Sequence, residues 1–83
     1  MKTPTIHLNG TRRKGLCDAV MAARAAVMAA INALGATYPR GLDYYTQELG
    51  AINTAMAEHE SRLNRLNSVM GELNDLATAI QDF

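Results

Sequence analysis

Few residues of this chain carry obvious chemistry: two histidines (His7 and His59), one cysteine (Cys17), three tyrosines, and eight Lys or Arg against eight Asp or Glu. Neither histidine has a carboxylate or thiol at ligand spacing, and Glu58-His59-Glu60 lacks the second histidine of a zinc-protease helix, so no metal site is expected. Ser61 and Ser68 fall within a helical pattern, without the sharp turn that exposes a nucleophile. A lone thiol cannot close an internal disulfide, which points to a reducing cytoplasm. Neither catalysis nor a cofactor is expected, and the polar residues are weighed as binding groups instead.

Three groupings could bind. Arg24 and His59 each interrupt an apolar stripe, and a buried guanidinium beside an imidazole calls for an anion. That anion is either a ligand phosphate or carboxylate, or a protein acid such as Glu58, Glu60 or one from a second subunit. Tyr38, Pro39, Arg40, Asp43, Tyr44, Tyr45 and Gln47 crowd one connector, where aromatics and an arginine could stack on a planar group. The alternative is that the tyrosines close the end of a bundle while Asp43 caps the following helix. Arg12-Arg13-Lys14 opens a helix at the positive end of its dipole. It calls either for an external anion or, better, for Asp75, Asp82 and the terminal carboxylate of the same chain. Glu58 and Arg62 stand at ion-pair spacing.

The elements that must position these residues are all helical. Residues 1–10 form an arm, extended over 3–8 by Pro4 and the β-branched Thr5 and Ile6 and ending in an Asn9-Gly10 turn. Thr11 suits an N-cap, a helix is expected over 12–34, and Gly35 suits its C-terminal cap. A tyrosine-rich loop over 35–46 precedes a second helix over 47–81, about 50 Å long and weakened at Gly50 and Gly71. Leu49, Ile52, Met56, His59, Leu63, Leu66, Met70, Leu73, Ala77 and Ile80 step by three and four without a break, a heptad seam. Cys17, Val20, Arg24, Val27, Ile31 and Leu34 form the matching seam. Folded antiparallel about the loop, Leu34 meets Leu49, Val27 meets Met56, Cys17 meets Leu66, and Arg24 meets His59.

The expected fold is therefore a single-domain, all-α, antiparallel two-helix hairpin, coiled-coil-like, with an extended arm. Two helices cannot enclose a core, and a second stripe of Met21, Ala25, Met28 and Asn32 widens the apolar face. Homo-oligomerisation to a four-helix bundle or larger is the simplest completion; the alternative is that the arm covers the open side. The apolar fraction of 48%, with no Trp and one Phe, is Ala, Leu and Met, as packed helices require. Residues 1–40 carry six cations against Asp18, net +5, and residues 41–83 carry Arg62 and Arg65 against seven acids, net −5. A hairpin can satisfy that field internally, so the basic half gives no argument for nucleic acid. Asp18, Arg24 and Asn32 interrupt the apolar run, and residues 25–31 are too short a stretch to span a bilayer. No membrane partner is expected.

Three segments, Thr5-Ile6-His7-Leu8-Asn9-Gly10-Thr11, Pro39-x-Gly41-x-Asp43-Tyr44-Tyr45 and Glu58-His59-x-x-Arg62-Leu63, resemble a family of small proteins encoded by tailed phages and prophages. The resemblance spans most of the chain in order. It departs from the family's pattern at Arg40, Leu42 and Thr46, where Asn, Arg and Pro are expected; Arg40 could stand in for the missing arginine. What it implies is a phage accessory protein acting in the host bacterial cytoplasm. Small oligomeric phage proteins include sponges that sequester cyclic nucleotides or ADP-ribose-like immune signals without catalysis. Such a site needs cations for phosphate, aromatics for bases and polar groups for riboses. His7, Asn9, Arg24, Tyr44, Tyr45, His59 and Arg62 would supply them if arm, loop and seam converge. The other expectation is a protein-binding role, as an inhibitor of a host defence complex or an assembly factor.

Overall fold

The computed structural model describes residues 1–5 and 10–81, and among these the chain is two long helices with no strand. Helix α1 runs Gly10–Gly35 and helix α2 runs Ala51–Gln81; a single 3-10 turn, Gly41–Asp43, lies in the loop between them. Helix α1 includes Gly10 and Thr11, so Thr11 lies in the first turn and does not precede it.

The loop is longer than the sequence suggests. Helix α1 ends without a left-handed glycine: the amides of Ala36, Thr37 and Tyr38 donate back to the carbonyls of Ala33, Leu34 and Gly35 at 3.1, 2.9 and 3.3 Å. The Thr37 hydroxyl adds a second bond to the Leu34 carbonyl at 2.7 Å. These tight bonds satisfy carbonyls that a helix end otherwise leaves orphaned. Asp43 sits in the 3-10 turn and does not cap α2. Gly50 has φ +91°, so it is the left-handed residue that turns the chain into α2 rather than a weak point within it. Leu49, expected to begin the seam, is fully exposed in the loop.

Both seams are present, but they meet in a different register. Val20 packs with Ala77 and Ile80, joined by Leu16, Cys17, Leu73 and Leu76. The Arg13 Nε–H donates to the Ile80 carbonyl at 3.0 Å, and Tyr38 stands against His59. These contacts pair Val20 with Ala77 rather than with Leu63, a slip of fourteen residues, or two heptads. A slip of that size returns every seam residue to the seam, so periodicity cannot detect it. The physical cause is the loop, which folds back along the first turns of α2. There Ala51, Ala55 and His59, one turn apart on a single face, are buried beyond the end of α1.

The outcome is a rod of 62 × 20 × 12 Å with a radius of gyration of 18.5 Å. A compact chain of this length would have a radius of about 12 Å. Residues 1–5 are exposed and do not cover the open side of the hairpin.

Candidate functional site

The register separates the two polar seam residues. His59 faces Tyr38 of the loop, whereas Arg24 falls opposite Leu73, fourteen residues or about 21 Å along α2. The expected Arg24–His59 layer does not form. His59 is 1% exposed and its Nδ1 has no hydrogen-bond partner. Its ring meets Tyr38 edge-on, with centroids 5.3 Å apart and planes at 79°, the geometry that aromatic quadrupoles favour. Arg24 is half-buried, and its Nε is likewise buried without a partner. One Nη donates to the Met21 sulfur at 3.8 Å. With Met21, Ala25, Met28 and Met70 it lines a shallow depression of 260 Å³.

Tyr44 and Tyr45 lie together at the other end of the rod. With Gly41, Gln47, Glu48, Leu49 and Ile52 they line an open depression of 530 Å³ where the loop turns into α2. Tyr44 is half-buried and Tyr45 exposed, as are Leu42 and Leu49 beside them. The seam gave no sign of this site, because the sequence places Leu49 inside the core. The signal that could have found it is Gly50, whose need for positive φ marks the end of the loop.

Within the chain, Arg13 finds backbone carbonyls and Lys14 finds Asp18, an acid of its own helix. Arg13 donates to the carbonyls of Ile80 and Gln81, where a cation at the negative end of a helix dipole is favourable. Lys14 pairs with Asp18 at 2.9 Å, and that hydrogen bond and charge raise its pKa above the ordinary lysine value. Asp75 forms no ion pair among the described residues, and Asp82 lies outside them.

Arg62 and Glu58 form no ion pair; among the described residues Lys14–Asp18 is the one salt bridge. Arg62 instead lines a 290 Å³ cleft with Leu34, Arg65 and Leu66. Of the residues a ligand was expected to gather, Tyr44 and Tyr45 stay together and His59 and Arg62 are one turn apart on α2, one buried and one exposed, while Arg24 stands away from both groups. His7 and Asn9 lie outside the described residues.

Neither a family model, nor a curated protein, nor a solved structure matches the chain. The chemistry of the surface must be judged on its own geometry.

Helix α1 is the less covered of the two long helices. Val20 is its one buried side chain among those described, and Met21 and Met28 are 41% and 46% exposed. Within Arg12–Gly35 an 18-residue window reaches a mean hydropathy of 1.4, so by length and composition alone this helix is apolar enough to cross a membrane.

Proposed function

We propose that this chain is a phage-encoded protein of the bacterial cytoplasm that self-associates and sequesters a nucleotide-type immune signal, a cyclic oligonucleotide or an ADP-ribose derivative, without catalysis. The observation that carries the reading is the 530 Å³ depression at the loop, where Tyr44 and Tyr45 offer planar faces beside Gln47 and Glu48. Tyrosine stacks on any base, and the amide and carboxylate can bond the polar edge of one. The resemblance to small phage proteins supplies the biological setting.

Area supports self-association. The chain exposes 6088 Å² at a mass of 9.0 kDa, whereas a compact protein of that mass exposes about 4,900 Å². Two copies that each covered the excess would bury about 2,400 Å² in total, within the range of obligate dimers. The natural surface for this is the α1 face of Met21, Ala25 and Met28, giving a four-helix bundle.

Thermal melting of the purified protein with cyclic di- and trinucleotides and ADP-ribose derivatives tests the ligand. A true ligand at a hundred times its Kd adds about 2.7 kcal/mol of stability, and its recovery intact after denaturation separates a sponge from an enzyme. The exposed Met21 and Met28 favour a second reading, a protein-binding module that inhibits a host defence complex or aids phage assembly. No shift with any nucleotide, together with a stable complex with a host protein, selects it. Flotation with lipid vesicles adds the third outcome, a bilayer as the cover of α1.

A further inference from the structure

We propose that Arg62 and Arg65, with Leu34 and Leu66, form a subsite for an oligophosphate anion joined to an apolar or planar group. It deepens the proposed capture of a nucleotide-type ligand and rests on that reading for the ligand's body, but not for its phosphates.

The two arginines stand three residues apart on α2, hence side by side on one face. Neither pairs with an acid within 4.0 Å among the described residues, although Glu58 is one turn from Arg62. Arg65 spends its Nε–H on the Ser61 carbonyl at 3.2 Å. That bond ties the side chain back along α2 and leaves its terminal N–H groups without a hydrogen-bond partner among the described residues. Between the arginines and the end of α1 lies a cleft of 290 Å³ floored by Leu34 and Leu66. Two forked cations over an apolar floor suit phosphate oxygens carried on a hydrophobic or flat body.

The competing structural role is already filled. Arginines near the C-terminus of a helix commonly bond its last carbonyls, and Arg62 falls opposite Gly35 in the observed register. Yet the carbonyls of Ala33, Leu34 and Gly35 are taken by the amides of residues 36–38 and the Thr37 hydroxyl, and neither arginine reaches them. The guanidiniums are therefore not committed to closing α1.

The cleft also stays open in the proposed dimer. At about 100° per residue, Met21, Ala25 and Met28 project to one side of the α1 seam and Leu34 leans to the other. Arg62 and Arg65 lie correspondingly on the opposite side of the α2 seam from Met70. A dimer through the methionine face leaves the arginine face accessible. The cleft is distinct from the tyrosine depression, with Arg62 about 15 Å along α2 from Ile52.

Calorimetric titration of the full chain with inorganic pyrophosphate, ADP-ribose and a cyclic dinucleotide, at low and high salt, tests the subsite. Wild type should bind pyrophosphate weakly and salt-dependently, and a nucleotide more tightly. The double variant Arg62→Gln/Arg65→Gln should lose about 100-fold in affinity, with an unchanged helical circular-dichroism signal. The pair Arg62→Lys/Arg65→Lys should recover part of it, since charge returns without the fork. Nucleotide binding that survives the double glutamine variant overturns the subsite and leaves the proposed function standing. Pyrophosphate binding that requires both arginines, with no nucleotide bound, supports the subsite and overturns the sponge. Wild type that binds none of the three overturns both.

Discussion

Arg24 and His59 each hold a buried nitrogen with no partner, and such an atom costs stability that a side chain of similar size without polar atoms would not. The variants His59→Leu and Arg24→Met should therefore each raise stability by about 1 kcal/mol, read as a higher urea midpoint at unchanged slope. A loss of several kcal/mol in either would mean that the nitrogen has a partner in the assembled protein. Both residues were legible in the sequence as polar intruders in apolar stripes. Their separation was not, because a seven-residue repeat assigns each to a face and says nothing of which turn it meets. Arg65 shows the same limit: helical spacing sets it beside Arg62, but only the register brings the pair to Leu34.

Among the elements, the helices were read well and their ends less so. Apolar steps of three and four fix the core faces of α1 and α2 over most of their length, since burial demands that spacing. The start of α2 moved from residue 47 to Ala51 because the loop's turn is set by one backbone angle, at Gly50. Two glycines make this testable. A Cβ at Gly50 or at Gly71 would meet nothing within 4 Å, so only conformation decides. Gly50→Ala should destabilise by about 1 kcal/mol, as a left-handed angle is forced on alanine. Gly71→Ala, inside α2, should stabilise by about 0.5–1 kcal/mol. Thermal melting of the two variants should thus move in opposite directions. At the far end, the carbonyls of Ile80 and Gln81 accept from Arg13, a contact that the charge pattern foretold in sense but assigned to acids.

The molecule as a whole is a rod with more surface than its mass requires, and that excess was anticipated from the widths of the two apolar stripes. Sedimentation of the wild type should show a dimer or larger species, with a melting temperature that rises with protein concentration. Met21→Glu/Met28→Glu should shift it toward monomer and lower the melting temperature, because four carboxylates would be brought into one interface per dimer. A monomeric wild type at high concentration would reject the four-helix bundle.

The loop's retreat along α2 has one more effect. A stripe that repeats every seven residues works like a vernier: many alignments fit it, and the span between the rods selects one. Removing a whole repeat from the exposed middle of α2 would leave every apolar residue facing inward while carrying the arginine cleft one notch along its neighbour. Removing four residues would turn half the stripe away. The same scaffold can thus offer its binding groups in several spatial combinations without redesigning its interior.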